Sequence, residues 1–252
     1  MNIVYLGFDP REQVAFDVAR ASILKRTKTP IKIIPLRLDH LGGILTRPIE
    51  RRDGRLWCPI SNAPMSTEFA ISRFCIPFIE DGWALFADCD IICWSDIDEL
   101  FALADERYAV MCVKHNLSYT ICDSKMDGQL QTRYQRKNWS SVVLWNCAHP
   151  ANKRLTLANL NEWPGRDLHA FKWLDDYFEI GELFQQWNWL VNVSGGEPER
   201  NGIWHYTLGG PWFENWTPAR YDDEWLVEAE SAVRRSDRLT RALETCAFIS
   251  PP

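Results

Sequence analysis

The stretch Trp83-Ala-Leu-Phe-Ala-Asp-Cys-Asp-Ile-Ile-Cys-Trp94 decides the reading of this chain. Its apolar run over 83–87 stops at Asp88-Cys89-Asp90, and a second apolar run follows. A short apolar run bounded by charge reads as a buried strand. Residues i and i+2 of an extended backbone point the same way, so Asp88 and Asp90 project together from the strand's end. Two converging carboxylates between apolar walls repel each other and lose hydration. A divalent cation relieves both costs, and hard oxygen ligands suit Mg2+ or Mn2+. The natural cargo of such an ion is a phosphate or diphosphate. A solvated turn with two incidental acids is the competing reading, because D-x-D alone recurs by chance.

Outward from this stretch, strand and helix patterns alternate. Residues 3–8 read as a first strand, and Asp9-Pro10 opens a helix with an apolar stripe of Val14, Val18, Ala21 and Leu24. Residues 31–36 read as a second strand. The span 39–66, rich in Arg, Gly and Pro, reads as a functional loop. Ser66 or Thr67 caps a helix running to residue 78, with Phe69, Phe74 and Ile76 facing inward. A short helix spans 95–103, strands cover 108–113 and 141–145, and Pro150 begins another helix. Late strands fall at 190–193 and 203–206, and a charged helix over about 222–243 closes the pattern. This βαβ alternation predicts a mainly parallel α/β sheet flanked by helices, with ligands at the carboxyl ends of its strands. No repeat or composition break divides residues 1–252, so one domain is expected.

The 252 residues are long enough to bury a large core, and a net charge of -6 argues against nucleic acid or an anionic membrane as partner. Eight cysteines lie mostly within apolar stretches and form no C-x-x-C pair, as buried thiols of a reducing, cytoplasmic protein do. The opening residues carry no basic segment and no long apolar one, so no signal peptide is expected, and no apolar run reaches membrane-spanning length.

Several other residues have chemistry that suits an anionic, sugar-like ligand. His205 ends a strand-like run, Ile203-Trp-His-Tyr-Thr-Leu-Gly-Gly-Pro-Trp-Phe213, before Gly209-Gly210. Neutral imidazole ligates Mn2+, and glycines let backbone N–H groups approach an anion. A lone histidine is more often a core or surface residue. Arg73 precedes the acidic strand and could reach a diphosphate, or merely pair with a nearby acid. Asp175 and Asp176 could orient a hydroxyl or move a proton, or simply form an acidic helix face. Trp187-Asn188-Trp189 and Asn138-Trp139-Ser140-Ser141 set indole planes beside amides and hydroxyls, as sugar binding requires, although aromatics are more often core.

Taken together these pieces resemble a GT-A fold glycosyltransferase, nearest to the family 8 type and its bacterial and viral relatives. The matching segments are residues 3–9, Ser66-Thr-Glu-Phe-Ala-Ile-Ser-Arg-Phe74, 82–90, 138–142, Trp187-Asn188, and His205-Tyr-Thr-Leu-Gly-Gly-Pro-Trp212. The resemblance implies a Rossmann-like GT-A domain acting as a hexosyltransferase. It implies Mn2+ (or Mg2+) held by Asp88, Asp90 and His205 against the diphosphate of a nucleotide-sugar, expected to be a UDP-sugar. Asp88 would also lie near the ribose, Gly209 and Gly210 against the diphosphate, and Tyr5 and Asp9 near the base. Arg73 would touch the donor, Ser140 and Ser141 would occupy an Asn-Ser-Gly-like position, and Asp175 or Asp176 would bind sugar or acceptor. The acceptor would be a carbohydrate or other hydroxyl compound, read by spans 39–66 and 114–137.

Two departures stand out. The family's closing motif carries a lysine before Pro-Trp where this chain has Gly210. Arg73, Lys137 or Arg200 must then compensate, or the metal alone suffices. No D-Q-D-like run occurs over 168–176. The resemblance further implies retention of anomeric configuration. The rival reading is a haloacid-dehalogenase-like Mg2+ phosphohydrolase, whose D-x-D also ends a strand and whose later acidic pair Asp175-Asp176 would imitate. That motif has Thr or Val where this chain has Ile92, and it lies on the first strand. A non-catalytic nucleotide- or sugar-binding protein on the same fold is the third reading.

Overall fold

The computed structural model describes residues 1–116 and 136–247, with side chains through 236. Its central sheet contains β1 (Asn2–Gly7), β2 (Ile31–Leu36), β6 (Trp83–Ala87), β8 (Val110–Cys112), β9 (Val142–Asn146) and β10 (Ile180–Glu182). Their order is β10-β8-β9-β6-β1-β2. All run the same way except β9, which is antiparallel to both β6 and β8. β6 lies between β1 and β9, and its residues from Ala84 to Ala87 are buried on both faces of the sheet, so its apolar run carries no polar alternation. The one proline in these strands, Pro35, lies on the edge strand β2, where a missing N–H costs least.

Helix α1 (Gln13–Arg26) follows a 3-10 turn, Pro10–Glu12, capped by the Asp9 carboxylate. Its buried face is Ala15, Phe16, Val18, Ala19, Ser22 and Ile23. This corrects the stripe read from the sequence, since Val14 is exposed. The 3-10 turn shifts the phase at which the helix meets the sheet. The helix expected over 66–78 is also different. α2 (Phe69–Ser72) is a single turn with no side-chain cap, continued by a 3-10 segment, Arg73–Phe78, that contains Pro77. Phe69, Phe74 and Ile76 are nevertheless buried, as expected.

The span read as a loop over 39–66 contains a small antiparallel sheet of β3 (Glu50–Arg52), β4 (Arg55–Cys58) and β5 (Ala63–Met65). Asp53 and Gly54 join β3 to β4 with φ of 50° and 76°, the left-handed pair of a tight hairpin. Asp-Gly between short strands was a legible hairpin signal.

β7 (Ile91–Cys93) does not continue the central sheet. It pairs antiparallel with β12 (Ile203–His205), which pairs with β11 (Trp189–Leu190). α3 (Ile97–Phe101), capped by Asp96, is shorter than the 95–103 expected. After Pro150–Arg154, a 3-10 turn, come α4 (Leu157–Glu162) and α5 (Gly165–His169). α6 (Asp222–Ala247) lies against α1, where Glu228 takes hydrogen bonds from Lys25 and Arg26. Trp189, Trp204, Tyr206 and Trp225 form a second apolar cluster with Val18 and Ile92. Much of the tryptophan content is therefore core, including Trp187 and Trp189. The six described cysteines 58, 75, 89, 93, 112 and 147 are free and buried.

Candidate metal centre and adjoining cleft

Asp88 and Asp90 occupy the crossing between the two sheets. Asp88 N–H donates to the Ser141 carbonyl (2.8 Å), extending the β6–β9 ladder by one residue. Asp90 carbonyl accepts from Tyr206 N–H (2.8 Å), and Ile91 pairs with His205. This switch of sheets brings residue 205 against residues 88 and 90. His205 Nε2 lies 3.2 Å from Asp90 Oδ1 and 3.9 Å from Asp88 Oδ2. One ligand atom from each of the three residues lies within 4.8 Å of the others. Asp90 and His205 are buried, and Asp88 faces the cleft.

Asn188 sets the imidazole. Its Oδ1 lies 3.0 Å from His205 Nδ1, an arrangement that suits a proton on Nδ1 and turns Nε2 toward the two carboxylates. Its Nδ2 donates to Ser141 Oγ (2.9 Å) and to the Asn138 carbonyl (3.2 Å). Two oxygen ligands and one oriented nitrogen fit Mn2+ or Mg2+, and they relieve the like-charge cost of the acidic pair.

Arg73 secures the other side. Its Nη1 is 2.9 Å from Asp88 Oδ1 and 2.8 Å from the Ser140 carbonyl, and its guanidinium lies over the Phe86 ring at 4.8 Å. Behind it, Ser140 Oγ is 2.6 Å from His169 Nδ1. Burial, then the charges of Arg73 and Arg47, hold His169 well below the ordinary histidine value, so it is neutral. Burial and the nearby His205 likewise push His115 down to about 3. His169 and His115 were not singled out from the sequence as site groups, because their roles depend on contacts between distant segments.

A cleft opens from Asp88 and Arg73. It is lined by Lys137, Asn138, Ser140, Ser141 and Thr207 and by Cys58, 63–66 and 164–166. Cys58 Sγ accepts from Arg47 (3.1 Å) and Ser61 N–H (3.4 Å). Burial raises its pKa, but these bonds and the Arg47 charge together lower it below the ordinary thiol value.

The remaining residues singled out from the sequence are placed as follows. Asp9 is fully buried at the end of β1, and its carboxylate accepts from Arg11 (3.0 and 2.7 Å) and from Glu68 N–H (3.0 Å). Burial pushes its pKa up, and these bonds together bring it below the ordinary value. Arg11 also donates to the Ser66 carbonyl, so Asp9 braces a wall of the cleft. Tyr5 donates to Glu80 (2.5 Å), which precedes β6, whereas Asp88 follows it. The Tyr5 hydroxyl therefore points to the opposite end of the sheet from the acidic pair. Gly209 is left-handed (φ 104°), and the spaces beside Gly209 and Gly210 are filled by Phe213 and Trp212.

Asp175 and Asp176 are not brought to the cluster. Asp175 Oδ1 caps a turn by accepting from Tyr177 and Phe178 N–H. Asp176 pairs with Lys114 (3.5 Å) and Arg136 (3.3 Å). Of the candidate compensating cations, Arg73 and Lys137 line the cleft. Arg200 instead pairs with Glu224 and lies over Trp94. Of the spans expected to read an acceptor, 39–66 contributes a cleft wall, while 117–135 lies outside the described residues.

This arrangement of sheets is the GT-A glycosyltransferase fold. The galactosyltransferase LgtC, solved with donor and acceptor sugar analogs, superposes with a TM-score of 0.54 at 14% identity, over 91% of this chain and 95% of that one. The glycosyltransferase GlyE of Streptococcus pneumoniae TIGR4 gives 0.54 at 15% identity, over 91% of this chain and 61% of its own. The bifunctional WbbM gives 0.53 at 11% identity over 90% of this chain, which spans 51% of that larger protein. The haloacid-dehalogenase reading needed D-x-D on a first strand, whereas here it ends β6.

No family model matches the chain. It is 42% identical over 234 residues to Protein CDI of Arabidopsis thaliana, covering 90% of this chain and 85% of the plant protein, and it belongs to the same family.

Proposed function

We propose that this protein is a metal-dependent glycosyltransferase that moves a sugar from a nucleotide-sugar, expected to be a UDP-sugar, to a carbohydrate or other hydroxyl acceptor. The observation that carries this reading is the Asp88–Asp90–His205 cluster at the carboxyl end of β6, open to a cleft in a GT-A fold. The resemblance to family 8 enzymes supports the choice of UDP and retention of configuration. Buried free thiols support a reducing, cytoplasmic setting. Among the described residues no helix is long and apolar enough to cross a membrane.

The roles of the side chains follow from their contacts. Asp88 and Asp90 supply carboxylate oxygens, and His205 supplies Nε2 with Asn188 fixing its tautomer. Arg73 holds Asp88 and the 138–141 turn in one frame. Bound Mn2+ or Mg2+ contributes charge that stabilises a departing diphosphate. The cleft beyond Asp88, with its serine, asparagine and threonine groups, receives the sugar and its acceptor.

The deciding experiment is thermal unfolding with UDP, GDP, CDP and ADP, each with and without Mn2+. A ligand that binds only the native state contributes about 2.7 kcal/mol at a hundredfold excess over Kd. A stabilisation by one nucleotide that requires Mn2+, and that Asp90→Asn and His205→Ala abolish, is the expected result. No response to any nucleotide at saturating Mn2+ overturns the proposal.

A further inference from the structure

The residues that line the cleft fall into two groups of opposite chemistry, each held together by its own contacts. The first is polar and includes Arg73, Asp88, Asn138, Ser140 and Thr207. Arg73 Nη1 bridges Asp88 Oδ1 (2.9 Å) and the Ser140 carbonyl (2.8 Å), and Thr207 Oγ1 lies 3.5 Å from Asn138 Oδ1. This group is therefore tied directly to the acidic pair. The second is aliphatic: Ala63, Pro64 and Met65 of β5, Ala70 and Ile71 of α2, and Pro164 at the entrance to α5. Gly165 N–H donates to Ser61 Oγ (2.8 Å), and a Cβ at Gly165 would lie 3.1 Å from Ile71 Cδ1, so these three segments meet.

Polar atoms within the second group are few and mostly engaged. Ser61 Oγ holds Gly165, and Cys58 Sγ accepts from Arg47 and from Ser61 N–H. Among the described residues, Ser66 and the largely exposed Arg166 are the other polar side chains these segments bring to the cleft. Aromatic planes are missing as well. No Trp, Tyr or Phe among the described residues lines the cleft, and the indoles suited to a sugar face, Trp139, Trp187 and Trp189, are buried outside it.

A sugar ring against this aliphatic surface would lose water from its hydroxyls without finding partners for them, and would find no indole for its C–H face. A hydrocarbon skeleton has no such cost and is stabilised by leaving water. We propose that the acceptor is a compound whose hydroxyl is carried on a hydrocarbon skeleton, and that this skeleton packs on Ala63–Met65, Ala70, Ile71 and Pro164. The proposal deepens the transferase reading above and rests on it.

The donor's diphosphate belongs at Asp88, Asp90 and His205, and its sugar among the hydroxyl and amide groups tied to them. That leaves the aliphatic surface for the second substrate. In the transfer, the bond between the anomeric carbon and the diphosphate oxygen breaks, and its electron pair stays on the diphosphate. The acceptor oxygen forms the new bond to the anomeric carbon, and its proton passes to the released diphosphate. The aliphatic residues supply no charge to this step; they select which hydroxyl compound reaches it.

The test compares cyclohexanol with inositol, secondary alcohols built on the same carbon ring, the first with a single hydroxyl and the second with one on every carbon. Relaxation of their ring protons by Mn2+, in wild type loaded with UDP, reports binding beside the metal. Transfer from the UDP-sugar that stabilises wild type most is followed by the mass of the product. Cyclohexanol is expected to be relaxed, and to be glycosylated with a kcat/KM about a hundredfold or more above that of inositol. Ala63→Asn and Pro64→Ser, at half-buried positions of β5, each add a hydrogen-bonding group to the aliphatic surface. Each should keep the Mn2+-dependent response to UDP and narrow the ratio about fivefold.

If inositol is as good an acceptor as cyclohexanol, the acceptor class is refuted and the transferase reading stands. If both variants leave the ratio unchanged, the selectivity arises elsewhere and the proposal falls. It falls equally if UDP with Mn2+ stabilises wild type but neither alcohol is relaxed. If no nucleotide stabilises wild type with Mn2+, both readings fall together.

Discussion

Asn188 Oδ1 lies 3.0 Å from His205 Nδ1, and the same side chain donates to Ser141 Oγ at 2.9 Å. One fully buried amide thus joins the His205 imidazole, the end of the β6–β9 ladder and the 138–141 turn. A metal-ligating imidazole keeps its tautomer through such a contact.

Asn188→Ala is therefore expected to weaken Mn2+ binding by about 10- to 100-fold. Calorimetric titration of Mn2+ measures it. Unchanged affinity would mean that His205 is oriented by its strand alone, or does not ligate.

Gly202→Ala tests the placement of β12. Gly202 is left-handed (φ 62°), and an added Cβ would come within 2.1 Å of the Gln186 carbonyl oxygen. That carbonyl belongs to the 3-10 turn Gln185–Asn188, which carries Asn188. The variant should lose about 1–3 kcal/mol of stability in urea unfolding, from backbone strain, and more if the turn cannot move. Its Mn2+ affinity should fall as well, since the clash pushes Asn188 and His205 apart.

Glu228 gives a pH signature. Burial pushes its pKa up, but hydrogen bonds and charge from Arg26 and Lys25 together lower it below the ordinary 4.5. A carboxylate with a depressed folded pKa contributes stability that is present above its unfolded pKa and is lost as pH falls through the folded one. Wild type should thus lose more stability than Glu228→Gln as pH falls below 4.5. At pH 7 the variant should be less stable by about 1–3 kcal/mol, because a buried acceptor of two cations is weakened. Parallel pH profiles of urea midpoints for the two proteins would refute this account.

Asp175→Asn separates turn formation from chemistry. The Asp175 carboxylate accepts two backbone N–H bonds in an exposed turn. The variant should shift thermal stability slightly and leave the Mn2+-dependent response to UDP unchanged. Loss of that response would restore Asp175 to the site.

Much of the sheet was legible because its signals are local. The 83–87 run is apolar throughout, as a strand buried on both faces must be, and residues 31–36 match β2. Errors arose where geometry depends on neighbours. Val14 fits a helical stripe, yet a preceding 3-10 turn rotates it to solvent. The β3–β5 sheet was overlooked although Asp53-Gly54 announces its first hairpin. Tyr5 and Asp9 sit on or beside the expected strand, but only side-chain direction shows that one pairs with Glu80 and the other with Arg11.

The sequence by itself determined the acidic strand end. An apolar run forces that strand into the core, and the charged residues directly after it mark where it ends. It also placed His205 at the end of a later strand. What only the tertiary structure decided is that these three residues meet, and that Asn188, Arg73 and the 138–141 turn surround them. The chain leaves one sheet at residues 88–90 and enters another, where β7 and β12 pair antiparallel and set His205 opposite Ile91. Pairing between strands more than a hundred residues apart depends on the packing of the whole core, and no local pattern encodes it.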